Sequence, residues 1–232
     1  MKPKKLLRAL LLIVISLFLF ALLFRNGIIL NHLGIDIEVP FIKATDVPAE
    51  YSTVDRNQNG IADPIDIVNE AREGVEQKTT YKSAYYAGGY PPDDEGVCTD
   101  VIWRGLKGAG ISFKERIDED IGNNTELYQR VAGKPDPNID FRRVPNQYVF
   151  FKRFAEELTT DLIPRNIDNL REWQPGDVVV FIDGSFHHVG IVSDKRAKNG
   201  TPYFIHNIFP YAAEVKLSSF KTPITGHFRW VY

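Results

Sequence analysis

Residues 178–193 read Val178-Val179-Val180-Phe181-Ile182-Asp183-Gly184-Ser185-Phe186-His187-His188-Val189-Gly190-Ile191-Val192-Ser193. Branched and aromatic residues in runs of this length, bounded by Asp, Gly and Ser, form strands separated by a tight turn. Val178 to Ile182 and His188 to Ser193 are therefore expected to pair, with His187 in the turn. Tyr203 to Asn207 and Gly226 to Tyr232 have the same character, with Asn199-Gly200 and a longer loop between them. The last third of the chain is expected to be an antiparallel meander.

Upstream the period changes. Val101, Ile102, Leu106 and Ala109 share one face of a short helix that Gly108 and Gly110 end, which places Cys98 at or just before its first turn. The preceding stretch, Tyr85 to Gly96, contains Gly88-Gly89 and Pro91-Pro92 and is a turn region. Val68, Ala71 and Val75 mark a helix over 65–75, and Lys114 to Arg130 is expected to be helical in pieces broken at Gly122-Asn123-Asn124. Lys134 to Pro145 is extended by its prolines, and Tyr148, Phe151, Phe154, Ala155 and Leu158 mark a further amphipathic helix. Helices followed by a sheet give an α+β domain over 67–232.

The 232 residues are 44% apolar and 12% aromatic, enough for a sizeable core. The formal charge of −2 conceals an asymmetry, because Lys2, Lys4, Lys5, Arg8 and Arg25 occur before any acid. Without these five, 23 bases face 30 acids, a balance of −7 that argues against a nucleic-acid partner. Leu6 to Phe24 is apolar except for Arg8 and Ser16. At the helical rise its length is about 28 Å, nearly a bilayer core. Residues 1–25 are expected to be a transmembrane anchor with a cytoplasmic N-terminus, and 26–54 an extracytoplasmic tether. The alternative is a secreted chain after signal cleavage, but no small-x-small pattern follows Phe24.

Asp55, Asn57, Asn59, Asp63 and Asp66 place oxygen side chains at loop positions one, three, five, nine and twelve, with Gly60 at six and the Ile61 carbonyl at seven. This is the spacing of a Ca²⁺ loop, and Ca²⁺ is the cofactor expected at 55–66. Asp66 is shorter than the usual Glu at the last position, which lowers the expected affinity. An Asx-rich turn capping the next helix without metal is the competing reading.

Cys98 is the chain's only cysteine, so no intrachain disulfide forms. A thiol at a helix start is stabilised as thiolate by unpaired N–H groups and the helix dipole, whereas a structural cysteine behaves as a small apolar residue. A cysteine hydrolase also needs an imidazole base and a polar group to orient it. His188 begins one expected strand and His206 stands near the end of the next, which makes them base and orienter, with Asn207 as the substitute orienter. No C-x-x-C or H-x-x-x-H unit suggests a zinc cage. Asp100 and the Arg142-Arg143 pair are candidates for reading charged groups on a substrate, and an ion pair between that Arg pair and Asp136 or Asp140 is the structural alternative.

Tyr86-Ala87-Gly88-Gly89, Gly96-Val97-Cys98-Thr99-Asp100-Val101, Pro135 to Val144, Trp173 to Val179, His188 to Val192, Ile205-His206-Asn207 and Gly226 to Arg229 resemble, in order, the blocks of the bacterial family called domain of unknown function 1287. That family is similar to the NlpC-type papain-like cell-wall cysteine hydrolases. The resemblance implies a papain-like, NlpC-like fold, with Cys98 as nucleophile, His188 as base and His206 as orienter. The function it implies is a membrane-anchored, outward-facing peptidase or amidase acting on peptidoglycan stem peptides. The rivals are a non-catalytic wall-binding module and a thiol acyltransferase or lipid deacylase.

Overall fold

A computed structural model describes residues 8, 10–17, 19, 43–131 and 133–231. The chain divides into two units, Met1–Ile37 and Glu38–Tyr232. In the first, residues 10–17 are helical and exposed. No helix of the described residues is long and apolar enough to cross a membrane, and the expected span 6–24 lies partly outside them.

The second unit is α+β. Helix α1 (Asp63–Glu76), strands β1 (Thr80–Tyr81) and β2 (Glu95–Gly96), helices α2 (Cys98–Gly108), α3 (Phe113–Asn123) and α4 (Val144–Phe154) and strand β3 (Ala155–Glu157) come first. Helix α5 (Ile167–Arg171) leads into β4 (Val178–Asp183), β5 (Phe186–Arg196), β6 (Pro202–Ile208), β7 (Tyr211–Lys216) and β8 (Gly226–Trp230). The strands form one sheet of eight in the order β2-β1-β7-β6-β5-β4-β8-β3. All neighbours are antiparallel except β1 and β2.

Strand alternation sorts the sheet's side chains onto two faces. Val178, Val180, Val189, Ile191, Ile205 and Phe228 meet the helices in a core with Cys98, Val101, Ile102 and Leu106. Val179, Phe181, Val192 and Phe204 form a second core on the other face with Trp173 and Leu217. Helix α2 is wedged between α1 and β5. A Cβ on Gly105 would stand 2.5 Å from Ile191 Cδ1 and 3.1 Å from Ile67 O, so only glycine allows this approach.

Several elements depart from the expectations. The β4–β5 hairpin is tighter, pairing Asp183 with Phe186 across Gly184-Ser185, so His187 lies in the strand opposite Ile182. The aromatic helix ends at Phe154, and Ala155 to Glu157 pair with β8 instead. Its buried side is formed by Asn146, Gln147, Phe150 and Phe151, and Phe154 is exposed. Two buried amides, Asn146 and Gln147, interrupt the apolar pattern and shift the buried side away from the expected stripe. The tie of Leu158 N to His227 O at 2.8 Å continues this departure from helix.

Candidate active site

Cys98 opens α2. Extended backbone at Val97 (φ −127°, ψ −178°) turns the chain from β2 into the helix. The Val97 N–H donates to Asp100 Oδ2 at 2.8 Å, satisfying a donor that the helix leaves unpaired. Asp100 also accepts from Arg142 Nε and Nη2, each at 2.7 Å, and from Trp103 Nε1 at 2.9 Å. Thr99 Oγ1 donates to Arg142 O at 3.0 Å, and Gln147 Nε2 donates to Thr99 O at 3.2 Å and Phe141 O at 3.0 Å. The turn bearing the sulfur is thus bound to the chain around Phe141 and Arg142 on both sides of Cys98.

Strand β5 supplies the other wall. Thr225 N donates to Val180 O at 2.8 Å, so Val180 turns its polar backbone groups toward β8. Val189, its partner across the β4–β5 ladder, therefore turns its own toward β6. The β5–β6 ladder is closed at Ile191↔Ile205 and Val192↔Phe204 and does not extend to Val189. The backbone N–H groups of Val189, Thr99 and Cys98 itself favour the ionised form of the Cys98 sulfur. Gly190 permits the strands to close immediately beyond, since a Cβ there would meet Ile205 O at 2.4 Å and Phe204 Cζ at 2.6 Å.

The His188 ring lies on the opposite face of β5 from the Val189 side chain, as the two-residue period requires. Its Nε2 is 2.9 Å from His206 Nδ1. Phe181, Phe186, Phe204 and Phe220 surround it at centroid distances of 5.6–6.4 Å. Asn207 faces the other way and donates to Thr79 O and Gly96 O, each at 3.3 Å, which anchors the strand leading to Cys98. The structure thus brings His188 to His206 and assigns Asn207 to the backbone before the thiol. No hydrogen bond joins the Cys98 sulfur and the His188 ring; they approach the β5 backbone from its two faces.

Burial dominates the electrostatics. It pushes the Cys98 thiol up to about 12, with Asp100 adding in the same direction and the three amides pulling down. Burial alone lowers His188 to about 3. The resting pair is neutral thiol and neutral imidazole.

The other expected residues fall in two groups. Asp100 and Arg142 are buried against each other, with Arg142 Nη1 also donating to Ala84 O at 2.9 Å. Their charges are engaged within the protein. Arg143 pairs with Asp140 at 3.2 Å, remains partly exposed, and lines a cavity of about 450 Å³ with Lys134, Asp136 and Ile139. His227 is structural: it meets Asp177 Oδ2 at 3.0 Å and Thr159 O at 2.8 Å and stacks on Trp173 at 3.9 Å.

In the 55–66 loop, Asp55 accepts from Asn59 N at 3.1 Å and Gly60 N at 2.8 Å. Asn57 Nδ2 and Asn59 Nδ2 both donate to Asp66, at 2.9 Å and 2.9–3.1 Å, and Asn57 Nδ2 also donates to Gly108 O at 2.8 Å. Asp63 Oδ1 accepts from Arg56 N at 2.8 Å, and Ile61 N donates to Asn59 Oδ1 at 2.8 Å. Three of the five oxygen-bearing side chains meet at Asp66, through amide nitrogens rather than oxygens. Among the described residues, no group of three or more His, Cys, Asp or Glu is arranged to hold a metal ion.

Sequence reasoning missed Gln147 and the Val189 amide. A polar residue inside the α4 stripe marks the first; nothing local marks the second, which depends on where a ladder ends.

The family described as Domain of unknown function (DUF1287) matches residues 68–230. The chain belongs to that family. The DUF1287 region therefore spans Cys98, His188 and His206 and leaves the 55–66 loop outside it. An Escherichia coli (strain K12) relative described as "Uncharacterized protein YijF" is 33% identical over 196 residues, covering 82% of this chain and 90% of the relative. No solved structure matches.

Proposed function

We propose that this DUF1287 protein is a membrane-anchored, extracytoplasmic cysteine peptidase or amidase with a papain-like, NlpC-like fold, cleaving amide bonds in peptidoglycan stem peptides. The observation that carries the reading is the bond between His188 Nε2 and His206 Nδ1, with Cys98 at a helix start beside the neighbouring Val189 amide. Fixing Nε2 on His206 leaves His188 Nδ1 as the nitrogen for the thiol, and His206 as the orienting group. In the proposed reaction the β5 edge rearranges so that the thiol, which rests across the β5 backbone from the ring, reaches His188 Nδ1. It gives that nitrogen its proton and attacks the substrate carbonyl, the imidazolium returns the proton to the leaving amine, and water then hydrolyses the acyl-enzyme thioester. The Cys98 and Thr99 amides hold the oxyanion, a contribution worth about 10²–10³ in rate in other hydrolases. Arg143, partly exposed beside its Asp140 partner, would read a substrate carboxylate.

The anchor over 6–24 keeps the domain next to a tethered polymer, which raises local concentration. Ca²⁺ at the 55–66 loop belongs to the same proposal: binding would exchange the Asn–Asp66 hydrogen bonds for oxygen coordination, so the affinity is low. A second reading, a non-catalytic wall-binding module, draws support from the unjoined thiol and imidazole. Mass spectrometry of purified muropeptides incubated with the full chain in detergent separates the two. Cleavage by the wild type that disappears in C98A and H188A supports the enzyme. Unchanged masses, with retained binding to wall sacculi, support the module and reject the enzyme.

A further inference from the structure

The buried ion pair joins Asp100, on the same helical turn as the sulfur, to Arg142 from the short turn Asp140–Arg142. We propose that it is a charge-balanced positioning clamp that sets Cys98 reactivity, Arg142 neutralising a carboxylate that would otherwise oppose thiolate formation. The inference rests on reading Cys98 as the nucleophile.

The geometry exceeds what a helix cap needs. One acceptor atom satisfies the Val97 N–H, and an Asn or Ser does this as well as an Asp. Here the carboxylate also takes both arms of a guanidinium and an indole N–H, all within 2.9 Å, at a site where Asp100 and Arg142 side chains are 1% and 2% exposed. A buried ion pair is not in general more stabilising than apolar residues of the same volume, so stability alone gives no reason for one here. Its location does. Val97, Thr99 and Asp100 are each tied to Asp100 or Arg142, so the clamp straddles Cys98.

The charge acts on the sulfur directly. A carboxylate two residues away in the same turn disfavours a second anion, and Asp100 does oppose ionisation of the thiol, after burial. Other charged or titratable groups nearby are Arg104 on α2, Tyr81 on β1, Tyr86 against the Arg142 guanidinium, and His188 on β5. None forms a bidentate pair with Asp100.

The test is the alkylation rate of Cys98 by iodoacetamide in the full chain. Below its pKa a thiol reacts in proportion to its thiolate fraction, about tenfold for each unit of pKa. D100N is expected to react about tenfold faster than wild type and R142K several-fold slower, because the lysine neutralises the carboxylate less closely. The uncharged pair D100N/R142Q is expected to return to within about threefold of wild type. A purely structural cap predicts loosening in every variant, hence shifts of one sign; that result, or no shift in a folded D100N, overturns the clamp. If D100N fails to fold, the sign of the shift in R142K decides; if R142K fails to fold, the return of D100N/R142Q to within about threefold of wild type, against a further acceleration beyond D100N, decides. Muropeptide cleavage is read separately: opposite shifts without any cleavage by wild type would sink the proposed activity and leave the clamp standing.

Discussion

His188 on β5 and His206 on β6 share a hydrogen bond, Nε2 to Nδ1, at 2.9 Å. The bond fixes the imidazole plane of His188 from the strand next to it, in a pocket of aromatic rings that leaves little freedom to turn. H206A should therefore lower kcat for muropeptide cleavage by about 10²-fold or more with KM little changed, since positioned acid–base groups contribute about 10²–10⁴. H206N, which can still face Nε2 with an amide oxygen, should retain more activity than H206A. Equal loss in both variants would mean that volume rather than orientation matters at this position.

Acid sensitivity follows from His188. Burial lowers its folded value to about 3 from an ordinary 6.5, so unfolding takes up a proton that the folded state refuses. Its contribution is fully present above about pH 6.5 and is lost progressively as pH falls toward 3, a loss of a few kcal/mol at most. Urea unfolding at several pH values in that window should show a declining midpoint, and H188Q should flatten the decline. A midpoint independent of pH across the window in the wild type would contradict the burial of a neutral ring.

Cys98 should be quiet in the free protein. With its thiol pushed up to about 12, only about one molecule in 10⁴ is thiolate near pH 8, and alkylation should run about 10³-fold slower than for free cysteine. The sign of the linked stability is opposite to that of His188: the folded thiol keeps its proton, so stability is lost as pH rises from about 9 toward 12. Iodoacetamide labelling followed by peptide mass mapping reads the rate. Labelling as fast as free cysteine would show that the resting site is open.

Much of this was legible in the sequence for a physical reason. The strands of the last third announce themselves through branched residues and turn punctuation, and the α2 face through its 3.6-residue period, so Cys98 at a helix start and His188 and His206 on neighbouring strands were all expected. What stayed hidden depends on contacts between distant segments. Asn207 and His206 are adjacent, and only the strand period, once a face is known, sends one to Gly96 and the other to His188. Asp100 and Arg142 are 42 residues apart, and two opposite charges in a sequence do not reveal whether they meet each other or a substrate. Strand β3 was read as helix because Ala155 and Leu158 continue an apolar stripe, and pairing with β8 overrides that local preference.

The 55–66 loop gives the last prediction. Its Asn57 and Asn59 amides hold Asp66, and Asn57 also bridges to the end of α2 at Gly108 O, so the loop fastens the start of α1 to α2 without an ion. A Ca²⁺ must displace these donors, the shorter Asp66 reaches it less readily than a Glu at that position, and Asn57 and Asn59 bring no charge. Affinity in the range of about 10⁻⁴–10⁻³ M, that of extracellular modules, is expected. At a concentration about 100 times the dissociation constant, binding adds about 2.7 kcal/mol, which raises the thermal midpoint by several degrees. Chelation should return the midpoint to its metal-free value without unfolding the protein, because the amide donors resume their places. D66N should abolish the calcium response, and N57A should destabilise the metal-free chain by roughly 1–2 kcal/mol through loss of the bridge to α2. A thermal midpoint insensitive to Ca²⁺ up to about 100 times that dissociation constant but lowered in N57A would leave the loop as a hydrogen-bonded fastener and remove calcium from the account.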